Sequence, residues 1–561
     1  KSPVPYVLDK SLDLNAKGVI LRAFDQFRVK SCIDFKPRDT EEYYLSFQNL
    51  VGCWSYVGRT FLNGQELSID AGCDHIAIVE HTILHALGFY HEEIRHDRDD
   101  YVQINFDNVI AGQEGYFKKL GSDLSTTHNV SYDYLSVMHS GKNVLSNGNG
   151  STIITKDHKF QNVIGQRLDM SPRDAQKLKL LYKCNIQHNV KLVIEVKYLI
   201  YYRNYQDFQE ANFHCILSKL YYHIVFNLII LGQETGYFIH ASTSSGQEGD
   251  SAWLGTKIMS TQRECKVQCL QFYYFHSGNE SDELNIWIRE FQDEHDTRGT
   301  LRPPTSHWKL HHVSLNATKN FQVVFEVRKG AGNSTGGFSI DDINLSETEC
   351  PHVTLQIDNL GRLLNTSTFG TAIYSPRQYS KEGYAYRIAA VLYKTFLGMY
   401  VEILSGDNDD QLEWPCLQKQ VTFQMLDQTP DMKMQMSKQW SEVTHETHNL
   451  SNVFHENGEA VYGGILVGYH YFAFLEELQT REFLKGGSAI FMFSFEDAKS
   501  SITLANTTLL LLGCLRFYLC GNQNQNRMKI EVVYGKLENS QIKLGLFIAS
   551  FGINNQHYES Q

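Results

Sequence analysis

Three histidines constrain this chain more than any other sequence feature. They lie within residues 81–91, which read HTILHALGFYH. Residues four apart share one face of a helix, so His81 and His85 can bind the same ion. Gly88 permits a left-handed backbone, which would end the helix and turn His91 toward that ion. Three imidazoles with one open position are typical of a catalytic zinc site, because structural zinc sites usually have four protein ligands.

An alternative interpretation is that the histidines share a helix face by chance, as a lone pair at this spacing usually does. The surrounding residues favour metal binding, because they resemble the metzincin protease motif H-E-x-x-H-x-x-G-x-x-H and its downstream Met-turn. Residues 91–99 (HEEIRHDRD) and 131–139 (SYDYLSVMH) resemble the corresponding segments of the astacin family. The resemblance implies an α+β metzincin fold that binds one Zn²⁺ per chain through the three histidines, with Met138 beneath the metal.

The sequence departs from the astacin pattern at two positions that the family uses for catalysis. The family has glutamate directly after the first histidine, where this chain has Thr82. That glutamate carries a proton from the zinc-bound water to the leaving amine, and a threonine hydroxyl titrates too high to do so. Glu80 does not replace it, because two helix positions correspond to about 200° of rotation. The family also has an oxyanion-binding tyrosine where Ser140 stands, and a serine side chain is too short to take its place.

These departures predict a zinc site with no intact set of catalytic residues. Losing a general base slows a reaction roughly 10²–10⁴-fold, and losing an oxyanion donor slows it roughly 10²–10³-fold. We therefore interpret the chain as a catalytically impaired or inactive pseudoprotease subunit. The alternatives are an active secreted or cell-surface zinc endopeptidase that cleaves proteins and peptides, a sequence error or engineered change at the two positions, and a nonfunctional gene product.

Further segments resemble the meprins among the astacins, particularly their β subunits. They are residues 6–12, 15–21, 164–169 and 339–348. This resemblance implies a subsite in which arginines favour acidic residues just after the scissile bond. Arg167 lies at one such position, whereas Gln113 stands where a second arginine is expected. The resemblance also implies homo- or hetero-oligomers with meprin subunits, and the disulfides Cys32–Cys184 and Cys53–Cys73.

The chain has 561 residues, which is too long for a single hydrophobic core. We predict an astacin-like zinc metalloprotease domain at 1–184, a MAM domain at 185–350, a MATH (TRAF-like) domain at 351–505 and a divergent tail at 506–561. The MAM and MATH resemblance implies two all-β sandwiches, and residues 284–289 and 321–327 alternate as sandwich strands do. The N-terminal part of the MAM region is atypical, so pairing among Cys215, Cys265, Cys269 and Cys350 stays open.

Local patterns in the first domain predict one helix and several strands. Helical spacing predicts a helix at 14–24, and short apolar runs predict strands at 32–35, 53–58 and 67–69. Arg95, Asp97, Arg98 and Asp99 are expected to form structural ion pairs.

Cysteines and glycosylation signals indicate the secretory route and an extracellular or cell-surface glycoprotein. The chain has 11 cysteines and N-x-S/T sequons at Asn129, Asn149, Asn279, Asn316, Asn333, Asn344, Asn365, Asn449 and Asn506. A net charge of −12 argues against nucleic acid as a partner. No apolar run approaches the ~20 residues of a spanning helix, so we expect no membrane anchor in this chain.

Overall fold

The structure, a computed structural model, describes most of the chain. The described residues are 3–184, 226–230, 237–256, 258–259, 269–290, 296–315, 317, 319–346, 348–445, 452–456, 459–497, 527–538 and 541–552. An α+β unit comes first and is followed by two all-β sandwiches. This order confirms the predicted fold classes. Cys215, Cys265 and the sequons Asn316, Asn449 and Asn506 lie outside the described residues.

The N-terminal unit combines a five-stranded sheet, in the order β2–β1–β3–β5–β4, with helices. Its sheet is parallel except for β4, which runs antiparallel to β5. A two-stranded ladder, β6–β7, lies outside this sheet. In chain order the elements are β1 (Val4–Leu8), α1 (Leu14–Lys30), β2 (Phe35–Pro37), β3 (Leu45–Gln48), β4 (Trp54–Ser55), β5 (Gln65–Ser68), α2 (Ile76–Ala86), β6 (Val102–Ile104), β7 (Ile153–Thr155) and α3 (Pro172–Leu181).

Helix α1 begins at a side-chain cap and packs its apolar face on the sheet. The Asp13 carboxylate accepts a hydrogen bond from the Ala16 amide at 2.7 Å, which satisfies one of the free donors of the first turn. Phe24 stacks on Phe35 of β2, with ring centroids 4.1 Å apart, and contacts Phe47 of β3 edge-on. Buried residues of α2 belong to the same core, so this core holds the histidine-bearing helix against the sheet.

The predicted secondary structure needs four corrections in this unit. The strand predicted at 67–69 is β5, which begins at Gln65 and ends at Ser68. The helix predicted at 14–24 is confirmed, but it continues to Lys30. The strand predicted at 32–35 begins only at Phe35, because the chain first leaves the end of α1. The strand predicted at 53–58 is limited to Trp54–Ser55, since Gly52 and Gly58 on either side have φ of 83° and 75°.

The second unit is a sandwich of two antiparallel sheets. One sheet has the order β10–β15–β12–β13 and the other β14–β11–β16–β9–β8. Phe272 of β11 meets Phe325 of β15 edge-on at 5.0 Å, which joins the two sheets through one core. The strands are β8 (Phe226–Ile230), β9 (Tyr237–Ser242), β10 (Ser251–Gly255), β11 (Cys269–His276), β12 (Glu283–Glu290), β13 (Asp296–Leu301), β14 (Lys309–Ser314), β15 (Phe321–Arg328) and β16 (Gly337–Ser346).

The third unit is also an antiparallel sandwich. One sheet has the order β17–β27–β22–β23; the other follows β18–β20–β21–β25–β24, with β19 on β20 and β26 on β21. Tyr386 stacks on Phe495 across the core, with ring centroids 4.9 Å apart. The elements are β17 (Val353–Ile357), α4 (Leu360–Thr366), β18 (Thr371–Tyr374), β19 (Gln378–Tyr379), β20 (Ala385–Leu392), β21 (Phe396–Leu404), β22 (Lys419–Met425), β23 (Lys438–Val443), β24 (Asn452–Glu456), β25 (Glu459–Gly463), β26 (Val467–Phe474), α5 (Leu475–Leu478) and β27 (Ala489–Asp497).

Disulfides and polar contacts connect these elements. Within the described part of the chain, disulfides join Cys32 to Cys184, Cys53 to Cys73 and Cys269 to Cys350, while Cys416 is free and buried. Helix α1 contacts the third unit directly, because Arg22 donates to the Ser494 hydroxyl at 2.7 Å and pairs with Glu496 at 3.2 Å. A final hairpin pairs β28 (Arg527–Glu538) with β29 (Gln541–Gly552). None of the described helices is long and apolar enough to cross a lipid bilayer.

Candidate metal centre

Helix α2 ends as the sequence predicts, and its ending brings the third histidine to the other two. The helix stops at Ala86, and Gly88 has φ of 101°. The Gly88 amide bonds to the carbonyl of His85 and the Phe89 amide to that of Leu84, each at 2.9 Å. This pair of bonds is a Schellman ending, which reverses the chain direction.

The three imidazoles converge at the floor of a cleft. The ring centroids of His81, His85 and His91 lie 4.6, 4.9 and 5.2 Å apart. One nitrogen from each ring lies within 4.8 Å of the others, which allows one ion to contact all three. Each ring is half-buried, so the metal position is open to the cleft on one side.

The hydrogen bonds of two rings show that a cation fits between them. Nδ1 of His81 lies 2.9 Å from the Val137 carbonyl oxygen, and Nδ1 of His85 lies 2.8 Å from that of Phe89. A carbonyl only accepts hydrogen bonds, so Nδ1 carries the hydrogen in each neutral ring. Burial lowers the pKa of His81 well below its usual value and that of His85 to about 4. The two Nε2 lone pairs therefore face each other at 3.0 Å, and a cation bound by both relieves their repulsion.

The cleft above these rings has a volume of about 360 Å³. Arg167 lines it from an exposed position and donates to the carbonyl oxygens of His139 and Gln166. Gly165 has φ of 82°, and a Cβ there would lie 2.4 Å from Cα of Gly141, so only glycine permits this approach of two cleft-lining loops. The lining residues are Cys53, Trp54, Ser55, His81, His85, His91, Tyr116, Ser140, Gly141, Val144 and Arg167.

Gln113 is exposed and lies outside this lining. It precedes a 3₁₀ turn at Glu114–Phe117, which carries Tyr116 into the cleft. The two positions of the predicted acidic-residue subsite are thus placed differently, with Arg167 in the cleft and Gln113 beyond it.

Comparison with known families gives one match for each unit of the fold. Residues 1–183 match the Astacin peptidase family, residues 227–351 match the MAM domain, meprin/A5/mu, and residues 352–495 match the MATH domain. Over 535 residues the chain is 42% identical to meprin A subunit beta of Homo sapiens, a match that covers 88% of this chain and 73% of that protein. The chain belongs to the meprins of the astacin family.

The chain is also similar to two further proteins. Meprin A subunit alpha of Rattus norvegicus is 39% identical over 466 residues, covering 78% of this chain and 60% of that protein. Among solved structures, high choriolytic enzyme 1, a hatching enzyme zinc-protease from Oryzias latipes, is 37% identical. That match covers 32% of this chain and 89% of the other, with a TM-score of 0.30. Astacin-family peptidases are zinc-dependent, and three neutral imidazoles are suitable ligands for zinc.

Thr82, at the position where the family resemblance implies a glutamate, is buried, and its hydroxyl is used within the helix. Thr82 Oγ1 donates to the Ile78 carbonyl oxygen at 2.9 Å. Glu80 lies on another side of α2, where its carboxyl accepts from the Met170 amide at 2.8 Å. Burial and the neighbouring Asp169 raise the pKa of Glu80 well above its usual value. Neither side chain lines the cleft.

Ser140, at the position where the family resemblance implies a tyrosine, lies beside a phenol from another part of the chain. The Tyr116 hydroxyl is 3.3 Å from Ser140 Oγ and 2.9 Å from Nδ1 of His91. No sequence pattern identifies Tyr116, because a tyrosine in a glycine-containing polar segment carries no motif. Its contact with His91 becomes visible only in the folded chain.

The two glutamates after His91 are buried and face different partners. Glu92 pairs with Lys177 at 2.6 Å and with Arg95 at 2.9 Å. Glu93 accepts from the Ser140 amide at 3.0 Å, and its second oxygen lies 3.6 Å from Nδ1 of His91. Burial alone would raise the pKa of Glu93, but the nearby imidazoles, His139 first, hold it below its usual value.

The ion pairs expected within residues 91–99 are confirmed. Arg95 pairs with Asp97 at 2.7 Å and Arg98 with Asp99 at 2.6 Å. Met138 is buried in the same core as α2, and its carbonyl accepts from the Glu92 amide at 3.1 Å. These residues therefore fix the segment around His91 and the Met-turn.

Proposed function

We propose that this chain is a meprin-type pseudoprotease subunit that binds one Zn²⁺ and does not cleave peptide bonds. His81, His85 and His91 would hold the metal through Nε2. Zinc in such a site acts as a Lewis acid and lowers the pKa of its bound water. Hydrolysis also needs a group that carries a proton to the leaving amine.

The observation that carries the proposal is the composition of the cleft. Its lining, which belongs wholly to the described part of the chain, contains no aspartate or glutamate. The hydroxyl at position 82 donates into its own helix instead of toward the cleft. Ser140 replaces the oxyanion-binding tyrosine with a short side chain. The cleft thus supports metal binding, while its lining offers no carboxylate to carry the proton.

The remaining parts of the proposal follow the family assignment. We propose domain boundaries at 184, 350 and 505, with a divergent tail after the last, and assembly through the MAM and MATH domains with itself or with active meprin subunits. Arg167 would attract an acidic residue of a bound peptide. Exposed sequon asparagines at Asn129, Asn149, Asn333 and Asn365 support a glycosylated protein of the extracellular space or cell surface.

Metal content and peptidase activity, measured on one purified sample of the full chain after removal of any propeptide, test the function. We expect about one zinc per chain and no hydrolysis of peptide substrates above that of a His85→Ala control. Robust hydrolysis that a chelator abolishes would establish the alternative, an active zinc endopeptidase. A sample that binds no zinc would contradict the proposal at its first step.

A further inference from the structure

We propose that Tyr116 is a positioning residue of the metal centre, whose hydroxyl accepts the Nδ1 hydrogen of His91 and thereby directs Nε2 to the metal. The inference deepens the proposed function and rests on it. Tyr116 enters the space beside Ser140, where the family has a larger side chain. Tyr116 thus occupies part of the region that the short side chain of Ser140 leaves open.

The first argument is that the other two ligands already have such a partner. His81 Nδ1 is held by the Val137 carbonyl and His85 Nδ1 by the Phe89 carbonyl. Zinc-bound histidines almost always donate their second ring N–H to an acceptor, which fixes the tautomer and the ring orientation. For His91 the atom at that distance is the Tyr116 hydroxyl oxygen, 2.9 Å from Nδ1.

Metal binding also fixes the direction of this hydrogen bond. If Nε2 of His91 binds the metal, Nδ1 of the neutral ring carries the hydrogen and donates it. The Tyr116 oxygen then accepts, and its own hydrogen points to Ser140 Oγ at 3.3 Å. In this chain of hydrogen bonds, His91 donates to Tyr116 and Tyr116 donates to Ser140, so each donor has an acceptor.

The backbone of the turn that carries Tyr116 is held in place by buried contacts. The contact with His91 therefore does not depend on the conformation of an exposed side chain alone. Tyr116 itself is 37% exposed, but the next residue, Phe117, is fully buried. Arg98 donates to the Phe117 carbonyl at 2.9 Å and to the Glu93 carbonyl at 2.8 Å. One guanidinium therefore connects the turn that carries Tyr116 to the segment that carries His91.

Glu93 is the competing acceptor. Its Oε1 is buried without a hydrogen-bond partner in the described structure and lies 3.6 Å from Nδ1 of His91. This separation exceeds hydrogen-bonding distance, whereas the Tyr116 contact is within it. The geometry therefore assigns the role to Tyr116.

Zinc affinity of the full chain, measured by competition with a chromophoric chelator at neutral pH, tests the assignment for Tyr116→Phe. The matched control is Tyr134→Phe, which removes a hydroxyl that donates to the Tyr101 carbonyl at 2.7 Å in the same domain. We expect Tyr116→Phe to weaken zinc binding about tenfold to a hundredfold, the usual effect of losing an outer-shell partner. Its Co²⁺-substituted form should show an altered visible d–d spectrum, while Tyr134→Phe should match the unaltered chain in both measurements.

Other results would overturn the inference. Unchanged affinity and an unchanged Co²⁺ spectrum in Tyr116→Phe would exclude this role, and so would an equal loss in Tyr134→Phe. Weakened binding in Glu93→Gln with none in Tyr116→Phe would assign the role to Glu93 instead. Failure of the unaltered chain to bind zinc would overturn the proposed function as well as this inference. Zinc binding by the unaltered chain, with no change in Tyr116→Phe, would overturn this inference alone.

Discussion

The hydroxyl of Thr82 donates to the carbonyl oxygen of Ile78 at 2.9 Å, one turn earlier in the same helix. Serine and threonine side chains commonly form this bond within helices. It turns the only polar atom of the side chain away from the cleft. Under the proposed function, threonine at this position removes the family's proton carrier and leaves the helix in place.

Restoring that carrier should restore cleavage. We expect Thr82→Glu with Ser140→Tyr to hydrolyse peptides at least about 10²-fold faster than the unaltered chain, because a general base contributes roughly 10²–10⁴-fold. The measurement is hydrolysis of a quenched fluorescent peptide by the zinc-loaded protein. Thr82→Gln with Ser140→Tyr is the matched control, since glutamine has the shape of glutamate and cannot take up the proton. Equal rates in the two double variants would show that position 82 does not limit the activity.

The ligand motif was predictable from sequence because its determinants are local. The spacing of His81 and His85 needs only helical periodicity, and the turn at Gly88 needs only its freedom to adopt positive φ. The fold classes were predictable from alternating strands and from family resemblance. By contrast, Tyr116 and His91 are brought together by a turn 25 residues later, and that contact depends on the burial of Phe117. No local pattern encodes such a contact.

Metal removal should destabilise the N-terminal unit. The Nε2 atoms of His81 and His85 lie 3.0 Å apart, and without a cation their lone pairs repel each other. Zinc at a hundredfold excess over its Kd would add about 2.7 kcal/mol to the free energy of unfolding, or roughly 5–10 °C in Tm. Thermal unfolding with and without a chelator measures this shift. In His85→Ala the chelator should change Tm little, and a full shift in that variant would place the zinc elsewhere.

A buried lysine should be essential to the stability of the N-terminal unit. Lys30 is 1% exposed; its ammonium pairs with Asp169 at 2.6 Å and donates to the Met170 carbonyl at 3.1 Å. Lys30→Met would leave the Asp169 charge buried and unpaired, which typically costs about 3–5 kcal/mol. Denaturant unfolding measures the loss. Glu80→Gln is the control, because burial and the Asp169 charge raise the pKa of Glu80 and favour its neutral form. An amide resembles that form, so this variant should cost about 1 kcal/mol or less. Comparable losses in both variants would contradict this charge assignment.

The contact between the N-terminal unit and the third unit should weaken as pH rises. Asn15 bridges them, donating to Asp74 at 2.6 Å and to the Ser441 carbonyl at 3.1 Å. Burial and the Asp74 charge raise the pKa of the adjacent Glu442 to about 7 from 4.5, although His445 lies 3.8 Å away.

The pKa of Glu442 is higher in the folded state than in the unfolded state. The stability that this carboxyl contributes is therefore complete below about pH 4.5 and is lost as the pH rises through about 7. Glu442→Gln cannot ionise at this position. The Tm of the variant minus that of the unaltered chain should therefore increase from pH 5 to pH 8. Thermal unfolding across this range separates the effect from other titrating groups, since only the difference between the two proteins is compared. Glu476→Gln, at an exposed position of α5, should show no such trend. A Tm difference for Glu442→Gln that is the same at both pH values would mean that this carboxyl does not hold its proton at the contact.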